Sequence, residues 1–296
     1  MRLYSYRHAP AIRWGVPAVL CASVLLTACE DDNYRPDPEP GEPTVTETSA
    51  PVALNQSTES YFAAPKIINY WPQLADQAFT GSCHFGNDEG SGDMVVQTAG
   101  IGRIASTTYN DCKLSYGANA YVLTKGVVNY EYGDVGNLVQ LSMDGFSEEL
   151  LFGPDHQVVE FDGTIDFPGP ISSPPSYVAN GHYKFQALLS SDKIVELGFQ
   201  DFQVQSSLSG GDIIQIMNGG ISLPGSDSYL TVDTGSDGLR RPSGSSCAVS
   251  GTLTLTAADG SYTSATFNGQ DHIVVSVNGV AQPERTCDEY LAFINH

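Results

Sequence analysis

Basic charge is what this 296-residue chain has least of: 13 Lys and Arg stand against 34 Asp and Glu, a formal charge of −21. A chain so acidic repels nucleic acid and anionic lipid head groups, so neither is an expected partner. Tryptophan is scarce, with only Trp14 and Trp71. No apolar run approaches the roughly 20 residues of a comfortable transmembrane helix. The signatures CxxC, HExxH, HxH and GxSxG are missing, which removes the usual sequence grounds for a zinc site, a zinc peptidase or a serine hydrolase elbow. No cofactor is expected.

What is present is β-forming. Thirty glycines and 15 tyrosines, among many Thr, Val and Ile, suit turns and half-buried strands. From about Gly81 short runs recur, among them Met94–Thr98, Tyr121–Thr124, Val127–Tyr132, Leu138–Met143, Val158–Phe161, Tyr183–Leu188 and Ile194–Phe199. Phe202–Gln205, Ile213–Met217, Tyr229–Val232, Thr252–Thr256, Tyr262–Phe267 and Ile273–Val277 complete the set. Several alternate with period two, the mark of a sheet with one wet face. Between the runs stand Asp144-Gly145, Asp162-Gly163, Asn180-Gly181, Asn218-Gly219, Asp259-Gly260, Asn268-Gly269 and Asn278-Gly279. Asx-Gly adopts the positive φ of type I′ turns, so each reads as a hairpin. The expected fold is all-β, an antiparallel meander rolled into a barrel-like sheet or sandwich. Pro170–Tyr177 offers a division into halves 81–170 and 177–296, and Thr286–Ile294 reads as a final strand or helix turn.

The N-terminus has its own logic. Arg2, Arg7 and Arg13 precede an apolar run, Val16–Leu26, which ends at Leu26-Thr27-Ala28-Cys29 and turns acidic at Glu30-Asp31-Asp32. A basic start, a short apolar stretch and small residues at the cut form a secretory signal. With its cysteine the tetrad resembles the lipobox of bacterial lipoproteins. The resemblance implies that residues 1–28 are removed and that Cys29 carries lipid, including palmitate. It also implies lipoprotein processing and sorting machinery as partners and a place in the bacterial envelope, with outer membrane preferred. Loss of three basic residues would leave ten against 34 acidic ones, a charge of −24 in place of −21. Residues 29–55, with Pro36, Pro38, Pro40 and Pro43, read as a disordered acidic linker before a β-rich domain at 56–296. Ser60–Thr80 carries Trp71 and other aromatics and reads as an entry strap, with a short helix around Pro72–Gln77.

Once Cys21 leaves with the signal and Cys29 is acylated, four cysteines remain. An even number in an exported chain reads as two disulfides. Three pairings are open; the sequential one, Cys83–Cys112 and Cys247–Cys287, is adopted here. The stretches Phe79-Thr-Gly-Ser-Cys83, Thr108-Tyr-Asn-Asp-Cys112 and Cys247–Ser261, with its Gly-Thr-Leu-Thr-Leu strand, resemble uncharacterised β-rich exported proteins of proteobacteria. That resemblance implies a β architecture and paired cysteines and transfers no catalytic residue.

Candidate chemistry is thin. Leu230–Leu239 contains Asp233-Thr-Gly-Ser-Asp-Gly and resembles the active-site turn of aspartic peptidases, which implies a catalytic Asp233. Only one copy exists, so a second chain would have to supply the other aspartate that shares the proton. A strand ending in a polar turn explains the same residues. Asn87, Asp88 and Glu89 with Asp93, or Asp227 with Asp233 and Asp237, bring oxygen ligands together without the spacing of a known calcium loop. His84, His156, His182, His272 and His296 are scattered. Glycosidase carboxylate pairs meet only in the fold and leave no spacing to read. The expectation is a non-enzymatic β domain for binding, assembly or surface interaction, with an unidentified envelope protein or glycan as partner. The alternatives are an envelope hydrolase acting through Asp233 and a carrier sheltering an apolar ligand.

Overall fold

A computed structural model describes residues 44–60, 83, 90–100, 103–115, 120–153, 155–171, 175–187, 193–226 and 228–295. The signal, Cys29, most of the expected linker and Trp71 with its strap lie outside these residues. The described chain begins with a surprise for the linker reading, which ran to residue 55. Residues 50–60 form helix α1, and Ala50, Ala53, Leu54, Ser57 and Ser60 are buried. Their spacing of three and four makes one helical stripe. Thr46 and Ser49 close the entry turn by exchanging side-chain and backbone hydrogen bonds at 2.9 and 3.2 Å. Val45 docks the segment, its N–H donating to Ser261 Oγ at 2.7 Å and its carbonyl accepting from Asn278 at 3.1 Å.

The rest is one antiparallel sheet of 14 strands. It runs β1 (Ser91–Thr98), β2 (Ile104–Ser115), β3 (Ala120–Tyr132), β4 (Leu138–Phe152), β5 (Asp155–Asp166), β6 (Tyr177–Ala187), β7 (Lys193–Ser209) and β8 (Asp212–Ser222). β9 (Tyr229–Asp233), β10 (Leu239–Pro242), β11 (Ser250–Thr256), β12 (Tyr262–Asn268), β13 (Ile273–Val277) and β14 (Val280–Ala281) follow. Helix α2 (Cys287–Ile294) ends the chain, opened by a full capping box between Thr286 and Glu289. Consecutive strands pair as neighbours except β9 and β10, which each pair with β8 and β11, so the expected meander is present; among the described residues β1 and β14 do not pair, and the sheet is not closed into a barrel. The division into halves fails at Pro170–Tyr177. β5 and β6 pair on either side of it from Gln157↔Ala187 to Asp166↔Val178, so the prolines belong to a hairpin connection.

Four of the seven Asx-Gly pairs are not turns. Asp144-Gly145, Asp162-Gly163, Asn180-Gly181 and Asn218-Gly219 lie inside β4, β5, β6 and β8, while the three C-terminal pairs do fall where one strand turns to the next, Asn268 being the last residue of β12. The mid-strand glycines line up across the sheet. Gly163 is paired with Gly181, Tyr109 with Gly126, and Gly219 with Val232. Where a strand lacks an inward glycine it carries a two-residue bulge: Asn110-Asp111 in β2, Asp144-Gly145 in β4 and Gln200-Asp201 in β7 against β6. Each of β1 to β8 has one positive φ on this line, including Asp111 at 50° and Asp201 at 47°. Bulges and glycines bend strands, so the row is a fold line that bends long strands over a common core. Phe199 and Phe202 flank the β7 bulge and stack inside it, with ring centroids 5.5 Å apart. Residues on both sides of the line, from Phe146, Phe161 and Leu197 to Met143, Ile165 and Val204, belong to one buried cluster.

Both disulfides take the sequential pairing, with Cα–Cα distances of 5.3 Å for Cys83–Cys112 and 6.0 Å for Cys247–Cys287. The second ties α2 to the sheet, where Tyr290 meets Phe267 edge-on at 5.5 Å.

Candidate functional site

The fold line decides what Asp233 does. β9 and β10 are one strand interrupted by residues 234–238, and both halves pair with β8, Asp233 opposite Asn218 and Leu239 opposite Gln215. The Asp-Thr-Gly-Ser-Asp-Gly stretch therefore carries this strand across the line that the others cross by a bulge or an inward glycine. Asp233 is exposed and accepts the Gly235 N–H at 2.7 Å, an Asx turn. Buried Thr234 accepts the Met217 N–H at 2.8 Å through Oγ1. The motif is explained by what it does for the backbone.

The other sequence candidates are dispersed. Asp93 accepts from Asn110 at 3.2 Å, and Asp237 is exposed in a turn. Asn87, Asp88, Glu89, Asp227, His84 and His296 lie outside the described residues. Among the described residues no group of three His, Cys, Asp or Glu is placed to hold a metal ion. His272 pairs with Glu284 at 2.9 Å on the surface.

The side chains that do converge were not singled out by any motif. Beside the fold line, on the outer face of β4–β8, lies a cleft of about 490 Å³. Ladder register builds it. Ser147, Glu160, Lys184 and Glu196 are successive cross-strand partners on β4 to β7. The next row toward the line holds Asp162, His182 and Gly198. Phe146, Phe161, Tyr183 and Leu197, between the two rows, are buried and belong to the inner face. Lys184 bridges Glu196 at 3.3 Å, whereas no described residue forms an ion pair with Glu160 or Asp162. Gly198 donates its N–H to buried Ser222 Oγ at 2.6 Å. A Cβ at Gly198 would lie only 2.8 Å from that oxygen and 3.1 Å from the Tyr229 hydroxyl, so glycine is what lets Ser222 and Tyr229 pack against the strand here. Leu223, Gly225 and Ser226, in the connection after β8, form the far rim.

Farther along the same outer face, Glu149 accepts from Tyr121 and contacts His156 Nε2 at 2.8 Å. The Tyr121 hydroxyl, then His156 and Lys125, hold the Glu149 carboxyl below its ordinary value. Lys113 lies over the Tyr121 ring at 4.1 Å. Glu148, the preceding residue, points inward. Burial without a hydrogen bond to Oε1 pushes its carboxyl up to about 7. Tyr109 and Tyr130 are also pushed up, chiefly by burial, and Tyr109 feels the Glu148 charge.

A signal for the cleft existed in the sequence. Glu160 and Asp162, like His182 and Lys184, are spaced by two and so share the solvent face of a strand. What the sequence withheld was the register that sets one strand's pair beside the next. Comparison with known families, characterised proteins and solved structures finds no match.

Proposed function

We propose that this is a lipid-anchored protein of the bacterial envelope whose β domain binds a ligand in the β4–β8 cleft and performs no chemistry on it. The anchor rests on Leu26-Thr27-Ala28-Cys29 and its basic and acidic flanks. The described chain starts at Thr44, 15 residues after Cys29, which allows a reach of at most ~50 Å from the acylated residue. The binding role rests on one observation: the cleft gathers polar side chains among which no described hydrogen bond pairs a nucleophile with a base. Ser222 Oγ, the buried hydroxyl of the site, already accepts a backbone N–H, and Lys184 is held by Glu196. A nucleophile needs a base within hydrogen-bond reach, and no described hydrogen bond joins Ser222 to His182 or Asp162. A packed inner face, with Phe161, Phe202 and Tyr177 fully buried, favours this reading over an apolar carrier.

The test is fractionation of cells expressing the chain and its Cys29→Ala variant, with labelled palmitate. The wild type is expected in the membrane fraction and labelled, the variant soluble and unlabelled. A soluble, unlabelled wild type would overturn the anchor. Protease shaving of intact cells then reports which side of the envelope the domain faces.

A further inference from the structure

The two ends of the sheet differ. β14 is two residues long, so it offers an added strand little to pair with. β1 is eight residues long, pairs with β2 on one side, and has no described strand on the other. Sheets blunt such an edge with lysine, proline or a covering element. β1 contains neither residue, and its one charge, Asp93, already accepts from Asn110 at 3.2 Å. Val95 is 48% exposed. Met94 and Val96 pack on the core cluster but are only half-buried, since the described sheet ends at them. The register against β2 shifts between Ser91 and Asp93 and again between Gln97 and Thr98. Asp93–Gln97 is therefore the regular stretch of the edge, and Val95 is its centre.

We infer that β1 pairs antiparallel with β1 of a second copy of this chain, about a two-fold axis through Val95, and so joins two sheets into one. The strand is complementary to itself in that register. Val95 meets the partner's Val95, Met94 meets the partner's Val96, and Asp93 meets the partner's Gln97, an amide that can donate to the carboxylate. No like charges stand opposite each other, although each chain carries −21 overall. A slip of one residue would set the core face of one copy against the solvent face of the other, and a slip of two would shorten the regular ladder. Because β14 is so short, the pairing closes at two copies instead of extending head to tail. The inference depends on neither the cleft nor the anchor.

The test is oxidative cross-linking of the full chain in cells, with single cysteines introduced along β1. Opposed Cα atoms of an antiparallel pair lie about 4.5–5.5 Å apart, within disulfide range. Val95→Cys should therefore run mostly as a disulfide-linked dimer on a non-reducing gel. In this register position 97 stands roughly 13 Å from its own copy. Gln97→Cys should then stay at the background set by Val280→Cys, an exposed position on β14. Coexpressed Asp93→Cys and Gln97→Cys chains face each other and should cross-link again. Sedimentation equilibrium of the purified full chain in density-matched detergent reads the same contact without added cysteines. Twice the chain mass is expected, tightening as salt screens the repulsion between two acidic copies. Val95→Lys sets two cations face to face and should raise the dimer dissociation constant at least tenfold, with unchanged circular dichroism because the position is exposed. Cross-linking of Val95→Cys no stronger than Val280→Cys, equal cross-linking of Gln97→Cys, a single-chain mass at every concentration, or an undiminished dimer in Val95→Lys would overturn the inference. A Val95→Cys adduct with a different protein would assign the edge to that protein and overturn it as well.

Discussion

Glu148 and Glu149 are neighbours in the chain, yet their surroundings push their carboxyls in opposite directions. Glu149 faces out and receives hydrogen bonds, which favour its charge. Its share of stability is present above the unfolded value of 4.5 and is lost as pH falls through its lowered folded value. Glu148 faces in, 2% exposed, and burial favours its neutral form. The sign reverses: the folded state is most favoured below 4.5 and loses stability as pH rises to about 7. A shift of that size corresponds to a penalty on the order of 3 kcal/mol once the group is ionised. Urea unfolding of Glu148→Gln should therefore show a flat profile between pH 5 and 8 where the wild type declines. Curves for variant and wild type that stay parallel across that range would refute the assignment. Glu149→Gln should act at the other end, lowering stability in the neutral range by that share, leaving the slope there unaltered and flattening the loss on acidification.

At the scale of elements the fold line sets the architecture, and its glycines are not equivalent. Gly181 has φ +126°, and a Cβ there would lie 2.1 Å from the Asp162 carbonyl oxygen. Gly145, at φ +56°, has nothing within 4 Å of the same position. Gly145→Ala pays only for a left-handed backbone, about 1 kcal/mol. Gly181→Ala must also push two strands apart, and a loss above ~3 kcal/mol is expected, in the range of overpacked sites. Chemical denaturation of both variants decides this; equal losses would mean that the line does not bend the sheet by close backbone approach. The same residues show where sequence reading stopped. The alternation on either side of Asp162-Gly163 was legible, and so was the need for positive φ. A turn and a mid-strand bulge demand the same backbone angle, however, and only pairing with the next strand separates them. Helix α1 was hidden for a different reason. Its buried stripe is Ala50, Ala53, Leu54 and Ser57, small residues that carry little hydropathy and followed a proline-rich, acidic stretch. The cleft was half legible: the spacing of Glu160 with Asp162 placed both on one face, while the neighbours that make a site of them lie on other strands.

At the scale of the molecule the unbroken ladder from β1 to β8 and on to β14 joins what the prolines seemed to divide. A sheet with shared pairing and one buried cluster should unfold in a single transition, with equal calorimetric and van't Hoff enthalpies. Two resolved transitions would restore the division near Pro170. The C-terminal disulfide offers a finer test of the same unity. Cys247–Cys287 spans 40 residues, and the chain-entropy model gives such a link about 4 kcal/mol, exerted on the unfolded state. Helix α2 has further holds on the folded state: buried Tyr290 and Ile294, the ring contact to Phe267, and the Thr286–Glu289 capping box. Cys247→Ala/Cys287→Ala should therefore lower unfolding free energy by roughly 4 kcal/mol while leaving α2 docked. The check is hydrogen exchange at Tyr290 and Leu291 in the folded variant, because both amides lie within the helix. Protection close to the global value means that the disulfide acts through the unfolded chain. Rapid exchange of those amides, with the sheet still protected, would mean that the disulfide itself holds α2 in place.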